Sequence, residues 1–372
     1  MTPDPAAAEK KPKQIVMMLH DLRGGGAERG RLRLLKAFCE MGHSVELVLI
    51  ANEGAYLKDI PKDVSTRVIG KSNVFKAVPD IMRYLRENRP ASVLTSLTHM
   101  NVAVLIAKIL SRSKSKIIVV EHNQISEKAK SARHWRAKMT YIFAPILYRF
   151  AYKVVGVSEG VAEDIRKFTG LGKNKVICIY NPSFDRSILD LATQDTDHPW
   201  VNDGSVPIIV AVGRLHRQKG FDMLIPAFAK VRTVVGARLM ILGEGVEREL
   251  LERQAGELGI ADHVCFTGFV SNPYAIMSRA DLFVLSSRWE GLPTVLIEAL
   301  ACGVKVVATD CPSGPKEILE NGKLGPLVEV EQVDALADAI LETLEAPLID
   351  HSQRAFDYDV GLSAKNYLSV CA

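Results

Sequence analysis

The chain is poor in aromatic residues, at 6%, and its six cysteines (39, 178, 265, 302, 311, 371) include no CxxC spacing. Such cysteine usage gives no reason to expect a disulfide framework or a structural zinc, and suits a reducing, cytosolic protein. Long hydrophobic runs are missing too: none approaches the ~18–20 residues that a membrane-spanning helix requires. The opening thirteen residues, Met1 to Lys13, lack the apolar segment of an export signal and read as a disordered tail. The triplet Gly24-Gly25-Gly26 neither forms a GxGxxG fingerprint nor precedes the Lys-Ser/Thr of a Walker loop. Two Asp-x-Asp spacings, Asp195/Asp197 and Asp357/Asp359, lie in polar stretches away from strand ends and read as solvated acids. No metal ligand set is therefore assigned.

What is present fits an ordinary globular chain of two domains: 372 residues, 48% hydrophobic and 24% charged. A net charge of +4 conceals an asymmetry. Residues 1–200 hold 32 Lys+Arg against 20 Asp+Glu, and residues 201–372 hold 15 against 23, so one half is basic and the other acidic. Opposed halves suggest that the basic one faces an anionic surface or substrate. Short β-rich runs alternate with amphipathic stretches, the pattern of parallel strands joined by crossover helices. Strands are predicted at 15–19, 45–50, 92–96, 116–120 and 153–157, and again at 207–212, 237–243, 263–267, 281–285 and 305–308. The polar stretch 191–205 is taken as a linker between domains 14–190 and 206–350, with 351–372 a C-terminal segment packing back on the first. Ligands are expected where such sheets place them, at the carboxyl ends of the strands.

One stretch concentrates the chemistry. Ser286-Ser287-Arg288-Trp289-Glu290-Gly291-Leu292-Pro293-Thr294 follows a strand and opens a helix that carries Glu298 one turn in. Free N–H groups at such an N-terminus favour a phosphate or another anion. Acidic residues are also common at helix starts for electrostatic reasons alone, so the pair by itself admits both readings. Upstream, Arg214 and Lys219 flank the turn after another strand, where two cations suit a diphosphate. The alternative there is a solvated basic turn, since Arg217 is charged as well.

In order and spacing, Gly213-Arg214-Leu215-His216-Arg217-Gln218-Lys219-Gly220, the Glu290/Glu298 stretch and Asp310-Cys311-Pro312-Ser313-Gly314-Pro315-Lys316-Glu317 resemble the C-terminal half of glycosyltransferase family four. These are retaining enzymes of the two-lobed GT-B fold, so the resemblance implies an α/β molecule of two doubly wound Rossmann-like domains facing across a cleft. It implies a nucleotide-diphosphate sugar, most simply a UDP-sugar, as co-substrate, with no cofactor or metal and no nucleic acid. Arg214 and Lys219 would take the diphosphate, Glu298 the ribose and Glu290 the donor sugar, with Gly291, Leu292, Pro293 and Thr294 at the helix start. Gly243, Gly268, Phe269 and Val270 would border the nucleotide, and Gly25 and Gly26 would line the opposite side. His122, at a strand end, would approach the donor sugar, and His99 would lie in the acceptor pocket. The tail of the motif is most similar to bacterial enzymes that build lipid-linked oligosaccharide or surface polysaccharide. A sugar-nucleotide 2-epimerase of similar fold and a non-catalytic sugar-nucleotide-binding scaffold are the alternatives.

Residues 128–153 contain seven Lys or Arg, no Asp or Glu, and interleaved aromatics. They read either as a helix with core aromatics and a solvated basic face, or as a surface for the inner membrane. On the second reading Lys128, Lys130, Arg133, Arg136 and Lys138 meet lipid or the acceptor's diphosphate.

Overall fold

The computed structural model describes residues 15–23, 26–132 and 134–371, with only the backbone of Arg136. Gly25, Arg133 and the expected tail 1–13 therefore lie outside the described residues, as does the Arg136 side chain. The chain divides into two compact units. The first comprises the described residues up to Val157, with Ala162–Ile179 and the stretch from Ser363; the second comprises Ser158–Val161 and Tyr180–Leu362.

In the first unit, seven strands form one sheet: β1 (Ile15–Leu19), β2 (Val45–Leu49), β3 (Ser65–Val68), β4 (Ser92–Ser96), β5 (Lys116–Glu121), β6 (Lys153–Gly156) and β7 (Val176–Cys178), in the order β3-β2-β1-β4-β5-β6-β7. Every pairing is parallel. Strands of a parallel sheet are covered on both faces, and β1, β2 and β4 are buried at every position. Their predicted positions hold to within a residue. The unpredicted β3 and β7 are the two edges of the sheet, four and three residues long. Exposed β3, Ser-Thr-Arg-Val, has no inward apolar row to betray it.

The second unit repeats the plan with β8 (Ile208–Val212), β9 (Arg238–Leu242), β10 (Val264–Gly268), β11 (Leu282–Leu285), β12 (Val306–Thr309) and β13 (Leu327–Val328), in the order β10-β9-β8-β11-β12-β13. Its pairings are parallel as well. Ile209, Leu239, Leu282 and Val307 of the strands meet Leu224, Phe228 and Val231 of helix Phe221–Val234 and Ile340 of helix Val333–Glu345 in one core. In each sheet the strand order reverses beside the first strand, between β1 and β4 and between β8 and β11. A crevice opens at the carboxyl ends there, the place where such sheets bind ligands.

The expected linker at 191–205 needs correction. It belongs to the second unit and carries two short helices, Ser187–Ala192 running into it and Pro199–Asp203 within it. Polar composition marks it as a loop in sequence, yet its carbonyls and Asp203 are tied to the rest of the unit. Asn272 donates to the Leu191 carbonyl at 2.9 Å, Ser278 Oγ to that of Ala192 at 2.8 Å, and Arg238 pairs with Asp203 at 2.6 Å. At the other end, helix Val360–Cys371 runs from the second unit into the first.

Candidate active site

In the second unit the loops after β8 and β11 are locked together. Gly220 ends the first loop in the left-handed region at φ +64°, and a Cβ there would lie 2.1 Å from the Ser286 carbonyl oxygen. Only glycine allows that approach. Ser286 Oγ donates to the Lys219 carbonyl at 2.8 Å, the Arg288 N–H to that of Gln218 at 2.8 Å, and Gln218 Nε2 to that of Trp289 at 2.8 Å. The result brings two of the expected residues together: Lys219 Nζ donates to Glu290 Oε1 at 2.6 Å. Ser287 Oγ donates to the same oxygen at 2.7 Å, and the Glu290 N–H donates to the Pro312 carbonyl at 3.1 Å. Both members of the pair are largely buried, Lys219 at 18% and Glu290 at 8% side-chain exposure. Removing one partner of such a pair leaves the other charge uncompensated.

Arg214 stands on the same loop, exposed, beside the buried Leu215 whose N–H donates to the Glu244 carbonyl at 2.9 Å. Gly243 and Gly268, at the ends of β9 and β10, are bridged by a 2.9 Å hydrogen bond from the Gly243 N–H. Just beyond, Phe269 is 79% exposed, an unusual position for a phenyl ring, while Val270 is half-buried. Helix Thr294–Ala301 starts directly after Glu290-Gly291-Leu292, with Pro293 as its N-cap, so its first N–H groups follow Glu290 within a few residues of chain. Glu298, 4% exposed, accepts from the hydroxyl of Tyr274 at 3.0 Å.

Sequence reasoning passed over Tyr274 and Arg288. Arg288 grips Asp222 through both terminal guanidinium nitrogens, at 2.6 and 2.9 Å, and Glu331 through Nε at 2.6 Å, which fixes the start of helix Phe221–Val234. Tyr274 sits in the apolar-looking helix Tyr274–Met277, and nothing in that pattern reports a phenol turned toward a carboxylate. A wide cavity of about 740 Å³ in this unit is lined by Glu159, Gly160 and the segment Asp310–Lys323 rather than by the ion pair.

The crevice of the first unit mixes imidazoles with charged side chains. A cavity of about 170 Å³ is lined by His20 and Asp21 after β1, by Ser96, Leu97 and His99 after β4, and by Ala27, Glu28 and Arg31 of helix Gly26–Glu40. Burial pushes the His99 imidazole down to about 4, with the neighbouring His20 acting in the same sense, so it stays neutral. The two rings meet edge to face at 5.7 Å, and His20 Nδ1 lies 2.8 Å from Asp21. Leu97 adopts φ +75°, strained for a branched side chain, at the point where the chain turns from β4 into the helix bearing His99. His122, at the end of β5, is 7% exposed, and burial, then the charge of Arg31, holds it well below the usual imidazole range. Its neighbour Glu121 accepts from Thr98 Oγ1 at 2.9 Å, from Asn101 Nδ2 at 2.9 Å and from the Tyr148 hydroxyl. Burial raises its carboxyl to about 7. Gly26, the first residue of its helix, is exposed.

The two Asp-x-Asp spacings have structural partners. Asp195 meets Arg279 at 3.5 Å, Asp357 meets Arg354 at 2.6 Å, and Asp359 accepts from the Gly361 N–H at 2.8 Å. Among the described residues no group of three or more His, Cys, Asp or Glu is placed to hold a metal ion. Of the expected surface cations, Lys130 is paired with Glu127 at 2.7 Å, Lys128 is half-buried and Lys138 is exposed.

The sequence model described as "Glycosyltransferase Family 4" matches residues 24–182, and that described as "Glycosyl transferases group 1" matches residues 194–358. The chain is 27% identical, over 90% of both sequences, to N-acetylgalactosamine-N,N'-diacetylbacillosaminyl-diphospho-undecaprenol 4-alpha-N-acetylgalactosaminyltransferase of Campylobacter jejuni. It is 28% identical to the lipopolysaccharide core biosynthesis glycosyltransferase LpsD of Rhizobium meliloti, over 90% of this chain and 89% of LpsD. In fold it is similar to Anabaena HepE in complex with UDP-glucose, with a TM-score of 0.80, 21% identity, and coverage of 96% of this chain and 99% of HepE. Two parallel-sheet units, the locked loops of the second and these likenesses agree: the chain belongs to glycosyltransferase family four and has its α/β GT-B fold.

Proposed function

We propose that the protein is a retaining, metal-independent hexosyltransferase that moves a sugar from a nucleotide diphosphate, UDP in the simplest case, to an acceptor hydroxyl. The acceptor is a lipid-linked oligosaccharide or a surface-polysaccharide precursor, and the protein works on the cytoplasmic face of the inner membrane. The observation that carries this reading is the buried Lys219–Glu290 pair at the start of helix Thr294–Ala301, with Arg214 exposed on the adjoining loop. Departure of a nucleoside diphosphate builds negative charge on its phosphates, and fixed cations together with helix N–H groups stabilise that charge as it forms. Glu290 holds the lysine in place through one oxygen and meets donor-sugar hydroxyls. Glu298 takes the ribose hydroxyls, and the exposed ring of Phe269 with Gly268 and Val270 flanks the base. In the first unit, His122 approaches the donor sugar and His99, kept neutral, hydrogen-bonds the acceptor. The relatives support the acceptor class, since one is named for a diphospho-undecaprenol substrate and another for lipopolysaccharide core biosynthesis.

The test is transfer from a panel of nucleotide sugars to soluble analogues of lipid-linked acceptors, with product stereochemistry read by NMR and a parallel run in EDTA. The expected result is a retained anomeric configuration and full activity in chelator. Inversion, or activity lost to EDTA and restored by magnesium, overturns the corresponding part of the reading.

A further inference from the structure

Composition leaves two readings of 128–153 open, core aromatics beneath a solvated basic face or a membrane surface, and in helix Trp135–Leu147 large apolar side chains and cations are exposed together. Thr140, Ala144 and Tyr148 form its buried face, spaced four apart. The opposite face carries Trp135 (70% exposed), Met139 (36%), Ile142 (60%), Phe143 (45%), Ile146 (57%) and, in the next turn, Phe150 (51%). The spacing 135, 139, 142, 146, 150 is that of one continuous helical stripe. Isolated exposed apolar residues are ordinary, but a contiguous stripe of six large ones marks a surface built to be covered. Cations border it: Lys138 and Arg149 are exposed on the same stretch, and no Asp or Glu occurs between 128 and 153. No helix among the described residues is long and apolar enough to cross a membrane.

We propose that this stripe lies in the interface of an anionic lipid bilayer, with Trp135, Ile142, Ile146 and Phe150 entering the boundary between headgroups and acyl chains while Lys138 and Arg149 meet the headgroups. An apolar row with cations at its margins and no acid is the composition of an interfacial helix, whereas a protein partner would leave those cations to find acids of its own. The inference rests on the reading of a lipid-bearing acceptor but is separable from it. It also shifts the attachment from the cations of 128–138 to the apolar face, so binding should survive salt in part, because burial of apolar surface is not screened as exposed charges are.

Co-sedimentation of the full chain with vesicles of phosphatidylcholine alone, and of phosphatidylcholine mixed with phosphatidylglycerol, tests this without donor or acceptor present. The expected outcome is binding to the mixed vesicles that weakens with salt but persists. Ile142→Asp with Ile146→Asp should weaken that binding at least tenfold while transfer to a soluble acceptor stays at the parent level. Because both side chains are more than half exposed, the variant should keep the parent's circular dichroism; Trp135→Ser provides a milder second variant expected to lose several-fold. Absence of vesicle binding by the parent, or binding unaffected by both variants, overturns the proposal. A parent that is dimeric in solution and a double variant that is monomeric overturn it in favour of contact with a second copy. Vesicle binding without any transfer activity would leave this inference standing and remove the functional reading instead.

Discussion

The two crevices occupy equivalent points of equivalent sheets, between β1 and β4 in the first unit and between β8 and β11 in the second, and their chemistry differs. The second offers permanent charge: Lys219 against Glu290 at 2.6 Å, with Arg214 beside them. The first sets a neutral His99, held down to about 4, beside Asp21, Glu28 and the buried Arg31 around a small cavity. Topology therefore chooses where ligands go and leaves what they are to the loop residues. On the proposed reading the difference is functional. A leaving diphosphate needs fixed countercharge, whereas an acceptor hydroxyl needs a hydrogen-bonding group such as a neutral imidazole.

Changes in the second crevice should give the largest effects. Lys219→Ala and Arg214→Ala are each expected to lower turnover by roughly 10²–10³-fold, the scale for removing one donor to a developing anion. Nucleotide affinity should fall less, because the charge they meet grows in the transition state. Steady-state kinetics beside UDP calorimetry separates the two. A variant that loses affinity and turnover equally would show uniform binding instead and erase the electrostatic contrast.

Glu298→Gln is expected to weaken UDP binding by about 1.5–3 kcal/mol, the range for hydrogen bonds to a charged group. Tyr274→Phe should follow with a smaller loss, about 0.5–1.5 kcal/mol, because it removes only the hydroxyl that orients the carboxylate. If Tyr274→Phe binds UDP as the parent does while Glu298→Gln does not, the tyrosine supports packing alone. If neither moves affinity, the ribose assignment of Glu298 fails.

The smallest effect belongs to the first unit. Glu121 is raised by burial from 4.5 to about 7, so between those values the folded chain holds more protons than the unfolded one. Its contribution to stability is therefore complete below about pH 4.5 and is lost as pH rises through about 7. His99, lowered from 6.5 to about 4, works in the opposite direction, its contribution being lost as pH falls through that range. The melting temperature of Glu121→Gln minus that of the parent cancels His99, and it should climb steadily from pH 4.5 to pH 7.5. A flat difference would mean that Thr98, Asn101 and Tyr148 hold the carboxylate ionised throughout. UDP affinity should be unchanged, unlike in every second-unit variant above.

The sequence by itself determined the parallel α/β plan, because interior strands buried on both faces must read as short apolar runs. It also placed Arg214, Lys219, Glu290 and Glu298 at strand and helix ends, since glycines and proline punctuate those turns in fixed order. Edge strands β3 and β7 escaped it, being short and, in β3, exposed. So did the fate of 191–205, where the Leu191 and Ala192 carbonyls accept from Asn272 and Ser278 and Asp203 pairs with Arg238, tying the stretch to the second unit. Only the tertiary structure could decide that Lys219 pairs with Glu290 across 71 positions, that Tyr274 turns to Glu298 across 24, and that Arg288 clamps Asp222 across 66. Likewise only packing could settle which face of helix Trp135–Leu147 is hidden: composition counts aromatics and cations, but the neighbours that bury Thr140, Ala144 and Tyr148 choose the side they leave to the outside. Local order in the chain fixes turns and periodicities; partners distant in sequence are set by how the folded elements fill space.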